Sequence, residues 1–249
     1  MLDYLYDGSF NGLLTCIHYN YYGDRAKGIY NENEYQTSLS CGFMNVKTDN
    51  IKAQAVYEGI IEKISQDALD RVYMVFLSSN NEKENIILAF IRLGFKTGSQ
   101  VCSMHADPIV YAVQQQENQV MLEKHRLVGL VRFSEINGVL FSTVEPDHDV
   151  LTLVTPHFAD RFKNEKVIIY DSRRKKATFS YMGKWQQRSF DLEKYPELLT
   201  SELKYRMLWK TYFDNIAIKE RINPKCQKRC MPVRYWKNLT EMGESRQKL

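Results

Sequence analysis

The dipeptide Asn137-Gly138 stands between two apolar, β-rich runs, Val128–Glu135 and Val139–Val144, and it limits what this chain can fold into more than any other feature. Both residues tolerate positive φ, which a two-residue hairpin turn requires at its central positions. The pattern predicts a β-hairpin, so an antiparallel sheet belongs in the second half of the chain. Val167–Asp171, Ala177–Tyr181 and Lys184–Phe190 extend that sheet as a meander, with turns at Ser172-Arg173 and Met182-Gly183.

The remaining periodicity is largely helical. A short strand through Leu5 leads to a helix capped by Ser9, with Phe10, Leu13, Leu14 and Ile17 on one face. A second strand is expected at Cys41–Val46. Helix follows from Asp49 or Asn50, marked by Val56, Ile60 and Ile64 and then by Ile86, Ile87, Phe90 and Ile91, until Gly94 and Gly98 break it. Asp107-Pro108 opens another helix to about Arg126. Thr155-Pro156 reads as a cap and first-turn proline, which splits 147–162 into two short helical pieces. Leu203, Met207, Leu208, Tyr212 and Ile216 suit one amphipathic helix, and Asn223-Pro224 starts a shorter one. The expectation is an α+β fold, with a helix-rich N-terminal part and an antiparallel C-terminal sheet with flanking helices. Residues 1–249 form one unit, with 98–106 as the place for a subdivision into 1–100 and 101–249.

Composition narrows the class. An apolar fraction of 44% over 249 residues supports a substantial core. The longest apolar runs, such as Leu127–Val131 and Val150–Val154, fall far short of the roughly 20 residues of a membrane span. With no basic leader at Met1-Leu2-Asp3-Tyr4, a cytoplasmic location and no membrane partner are expected. Cys16, Cys41, Cys102, Cys226 and Cys230 are scattered and odd in number, unlike a disulfide framework. Cys226 and Cys230 have the first spacing of a CxxxCxxC iron–sulfur motif, but Val233 occupies the third position, so no metal or cofactor is assigned.

Charge is concentrated rather than large. The net charge is +4, yet Lys219–Lys237 holds seven bases and the single acid Glu220. Arg173-Arg174-Lys175-Lys176 forms a second cluster. Arg173, Arg174, Lys175, Lys228, Arg229, Arg234 and Lys237 are therefore candidate phosphate contacts, with Tyr235 and Trp236 interleaved as rings that can stack on unpaired bases. The bland alternatives are a solvated hairpin tip, with Asp171 forming the turn, and aromatic packing onto the body. A separate cluster, His148, Asp149, His157 and Asp160, has residue types suited to acid–base or metal chemistry, although caps and local helix pairs would use the same residues. Its spacing matches no HExxH motif, and there is no GxxxxGK[ST] or GxGxxG loop.

Several segments occur together in an order that resembles the DUF4130 family: Tyr6-Asp7-Gly8-Ser9-Phe10-Asn11-Gly12-Leu13-Leu14, Arg132-Phe133, Pro146-Asp147-His148-Asp149, Pro156-His157-Phe158-Ala159-Asp160-Arg161-Phe162, Tyr170-Asp171 and Met231-Pro232-Val233-Arg234-Tyr235-Trp236-Lys237. That family carries the label of a DNA metabolism protein. Its members are associated with a radical-SAM protein of DNA repair or modification, and related domains are fused to uracil-DNA-glycosylase-like domains. The resemblance implies an accessory protein that binds DNA and a radical-SAM partner; it carries over no catalytic residues. The alternatives are an enzyme acting on nucleic acid through His148, Asp149, His157 and Asp160, and a protein–protein scaffold without DNA affinity.

Overall fold

The computed structural model describes residues 2–36, 42–195, 211–212, 215–216 and 223–242. The chain divides into two compact units, Met1–Val120 and Met121–Leu249. The division falls within helix α5 (Pro108–Leu130), whereas the 98–106 region holds a 3-10 helix, Gly98–Ser103, of the first unit.

The first unit is helical around a small parallel sheet. Strands β1 (Leu2–Tyr6), β2 (Ile29–Asn31) and β3 (Gly42–Asn45) run in the order β2-β1-β3, both pairings parallel. Helices α1 (Phe10–Tyr22), α2 (Asn50–Lys63), α3 (Gln66–Phe76) and α4 (Lys83–Thr97) follow the expected periodicity. Side-chain caps set three of their starts: Ser9 accepts from Gly12 N, Asp49 from Ile51 N and Lys52 N, and Ser65 from Ala68 N. Tyr4, Tyr6, Leu13, Ile17, Ile60, Phe90 and Ile91 lie in the buried core. One carboxylate joins them: Glu84 accepts from the Tyr6 hydroxyl at 2.8 Å, and burial pushes its carboxyl above the usual range.

The second unit is built on one five-stranded sheet, β4 (Ser134–Ile136), β5 (Val139–Val144), β6 (Lys166–Asp171), β7 (Lys176–Tyr181) and β8 (Lys184–Ser189), in sequential order. The Asn137-Gly138 hairpin is present, with φ of 51° and 75° at its two central residues and Ile136 facing Val139. Met182-Gly183 makes the same kind of turn, with φ of 53° and 71°. One pairing departs from the expected antiparallel sheet: β5 and β6 are parallel, because helix α6 (Leu151–Arg161) returns the chain between them.

Register fixes which side chains share a sheet face. Thr178 on β7 accepts a hydrogen bond from the Thr155 hydroxyl of α6 at 2.8 Å, which identifies the face toward α6. Ile169 and Val167 pair with Thr178 and Ser180, so all four point there. Ile168, Tyr170, Ala177, Phe179 and Tyr181 occupy the opposite face.

Three expectations need correction or placing. The strand expected from Val128 begins only at Ser134, because α5 continues to Leu130. Val120, Glu123, Leu127 and Val131 are buried at helical spacing, and burying that stripe outweighs the β propensity of the valines. The two helical pieces expected on either side of Thr155-Pro156 are one helix with Pro156 inside it. Proline leaves the Thr152 carbonyl without its i+4 amide, while burial of Leu151, Val154, Phe158 and Ala159 offsets that loss. The helix expected around Leu203–Ile216 lies largely outside the described residues. Strand β2 has no counterpart among the expected elements, three residues being too short for a period to show.

Pro156 is exposed, so its cost is separable from packing. Pro156→Ala restores the amide and should stabilise the protein by about 2 kcal/mol. The check is a rise in urea midpoint at unchanged slope; a lower midpoint would mean that proline is required for the path of α6.

Candidate functional site

The hydrogen bonding of the second unit converges on Glu123, an acid on the apolar stripe of α5 and only 2% exposed. A carboxylate so placed must find donors for its lone pairs. One oxygen, Oε2, accepts from the backbone amide of His148 at 2.7 Å. The other accepts from the amide of Asp147 at 3.0 Å, from Arg234 Nη2 at 3.0 Å and from the Tyr235 hydroxyl. Burial, then the bond to Glu123, raises the pKa of that hydroxyl well above the ordinary tyrosine range.

Asp147 extends the network to the β6–β7 turn. Its carboxylate holds Arg234 Nη1 at 2.8 Å and Arg173 Nη1 at 2.9 Å. Its carbonyl, with that of Pro146, accepts from Arg174. Asp171 is fully buried and closes the turn: Oδ1 accepts from the amides of Arg173 and Arg174 at 2.9 and 3.2 Å, and Oδ2 pairs with Arg174 at 3.0 Å. Lys176 pairs with Asp149 at 2.9 Å. Lys237 pairs with Glu145, whose carboxyl it holds below the usual carboxylate range. Three stretches distant in sequence, 145–149, 171–176 and 234–237, are thus tied to one helix.

These contacts place the residues selected from sequence. Arg173, Arg174, Arg234 and Lys237 lie in one network, and each is paired with a carboxylate. Arg173 and Lys237 remain half exposed. Lys175 is exposed in the turn at φ 51°. Tyr235 is buried, with its hydroxyl on Glu123, so its ring is used in packing; Trp236 is partly buried and donates its indole N–H to the Met231 carbonyl at 2.9 Å. Helix α7 (Pro224–Cys230) carries Lys225, Lys228 and Arg229, all exposed, with no acid in the helix and no ion pair among the described residues. Cys226 and Cys230 are free and exposed on the same helix.

The four residues considered for chemistry occupy different environments. His148 is buried, and burial lowers its pKa against the opposing pull of Glu123 and Asp147. Asp149 is held by Lys176. His157 and Asp160 are exposed on α6, the His157 ring lying edge-on to Phe158. Among the described residues, no group of three or more His, Cys, Asp or Glu side chains is arranged to hold a metal ion. Sequence reading missed Glu123, although a signal exists: it is the acid at the helical spacing of Val120, Leu127 and Val131.

Glu123→Gln removes the charge opposite Arg234 and leaves an amide that donates where the network needs an acceptor, so it should cost on the order of 2–3 kcal/mol. Urea unfolding measures that cost, and trypsin should then cut faster around Lys225–Arg229 if Glu123 fastens the C-terminal segment. His148 has a folded pKa below its unfolded one, so its contribution to stability is complete above the ordinary histidine pKa, about 6.5, and declines as pH falls through it. His148→Asn should flatten the fall in melting temperature between about pH 7 and 5.5; an unchanged profile would remove His148 as a source of acid sensitivity.

Among the described residues, no helix is long and apolar enough to cross a membrane. No curated protein matches the chain. A pGpG-specific phosphodiesterase, PggH, from Vibrio cholerae superposes on 72% of this chain and 80% of its own length, at 7% sequence identity and a TM-score of 0.33, too loose to carry any argument. The family model described as Domain of unknown function (DUF4130) matches residues 81–241, a span that includes Glu123, Asp147, Asp171, Arg234 and Tyr235. With most of its length in that match, the chain belongs to the DUF4130 family.

Proposed function

We propose that this protein is an accessory factor of DNA metabolism that binds DNA through its second unit and works beside a radical-SAM enzyme. The observation that carries the DNA-binding part is the pairing pattern of the bases. Lys225, Lys228 and Arg229 project from a helix without acids, and the segment that follows is anchored to Glu123 through Arg234 and Tyr235. Cations held next to an anchored segment, without carboxylates in their own helix, are suited to neutralise phosphates. Arg173 and Lys237 supplement them, because a half-exposed ion pair is worth only about 0–1 kcal/mol and can exchange its carboxylate for a phosphate, and exposed Lys175 stands beside Arg173. The radical-SAM partner rests on the family resemblance alone.

The phosphate reading makes a quantitative statement about salt. Each phosphate contact contributes roughly 0.9 to the slope of log affinity against log salt for duplex DNA. Combining Lys225→Ala, Lys228→Ala and Arg229→Ala should lower that slope by about 2.7 and weaken binding of unrelated sequences equally. Fluorescence anisotropy between 50 and 200 mM salt measures it. Absence of duplex and single-strand binding at low salt would remove this function; a wild-type slope in the triple variant would remove α7 from the contact surface.

A further inference from the structure

We infer that the sheet face of the second unit turned away from α6 is a platform for unpaired nucleotides, with Tyr181 and Phe179 receiving bases and Lys166 and Lys184 receiving the flanking phosphates. This deepens the DNA-binding reading and rests on it, but it concerns a surface separate from α7.

That face is covered along only part of its length. Toward the β6–β7 turn, Phe141, Tyr170 and Ala177 are buried beneath Phe190 and Leu192, where the chain folds back after β8. Phe190 lies edge-on to Tyr170 and Phe179, with ring centroids at 5.7 and 5.6 Å. Toward the Met182-Gly183 turn, a groove of about 510 Å³ opens over Ile168, Phe179 and Tyr181. This is within the size range of small-ligand pockets and gives room for a nucleotide.

Register makes the chemistry of the groove explicit. Tyr181 faces Lys184 across the β7–β8 hairpin, Phe179 faces Gln186, and Val139 faces Lys166 across the parallel β5–β6 pair. That face therefore sets the Tyr181 ring beside a lysine, with Lys166 at the groove's other side, and among the described residues no acid lines the groove. Arg188 follows on the same face of edge strand β8 and donates to the side-chain Oε1 of Gln186 at 2.9 Å, leaving the Gln186 side-chain N–H groups as the donors for a base edge. Tyr181 is 48% exposed, so its ring is accessible to a base. Rings on an open sheet face, bordered by lysines, bind single strands through stacking and charge; a stacked duplex offers no free base faces.

The test measures anisotropy with a labelled thymidine oligonucleotide and with a duplex of equal length, using the full chain. Tyr181→Leu should weaken single-strand binding about tenfold, Tyr181→Phe should retain it, and both should leave duplex binding unchanged. Lys166→Ala with Lys184→Ala should weaken single-strand binding and lower its salt slope. Wild-type single-strand affinity in Tyr181→Leu and in the double lysine variant, with the α7 triple variant impaired, would overturn this inference and leave the DNA-binding reading standing. If neither DNA form binds the native chain, both fail together. Equal retention by Leu and Phe at position 181 would overturn stacking, and concentration-dependent dimerisation abolished by Tyr181→Leu would show that a second copy covers the face. Circular dichroism and a wild-type melting temperature show that the variants are folded.

Discussion

The second unit depends on one buried carboxylate. Glu123 interrupts an apolar helical stripe that would otherwise only pack, and its desolvation cost obliges surrounding segments to supply donors. Two come from the backbone just after β5 and two from Arg234 and Tyr235, more than a hundred residues along the chain. A hydrophobic residue at position 123 would impose no such directionality. The acid therefore specifies which segments meet, through geometry that dispersion alone does not select.

The same network divides the bases by what they can do. Arg174 is bound to buried Asp171 and to two backbone carbonyls, so removing it from those partners would strand a buried charge. Arg234 bridges Glu123 and Asp147 and is committed in the same way. Arg173 and Lys237 belong to ion pairs whose members are all more than a third exposed, where water screens the attraction and a phosphate competes on nearly equal terms. A cluster that reads as uniformly basic in sequence is thus two structural arginines and two exchangeable cations, with Lys175 beside them.

Sequence carried the fold wherever local chemistry decides it. Asn137-Gly138, Met182-Gly183, Ser9 and Asp107-Pro108 act through turn and cap geometry within a few residues, and each stands where its chemistry requires. The failures at Val128 and Pro156 share one cause, because in both places burial of a helical stripe overrides a local preference. The parallel β5–β6 pairing is set by the crossover through α6 rather than by any strand residue. The site was legible as a list of bases but not as a surface. Apart from Asp171, three residues before Arg174, their carboxylate partners, Glu123, Glu145 and Asp147, come from other segments, and no spacing rule connects Glu123 to Tyr235.

Pairing also explains why the sheet face matters. Where acids and bases meet in equal numbers, as around Asp147 and Asp171, the long-range potential nearly cancels and little remains to steer an anion. Lys166, Lys184 and the bases of α7 make no ion pairs among the described residues, so their fields persist. At Lys184 the charge adjoins an exposed ring. Charge alone attracts any polyanion, whereas charge beside an open aromatic face also distinguishes a strand whose bases are unstacked. Within one unit, then, α7 is suited to capture and the sheet face to discrimination between duplex and single strand.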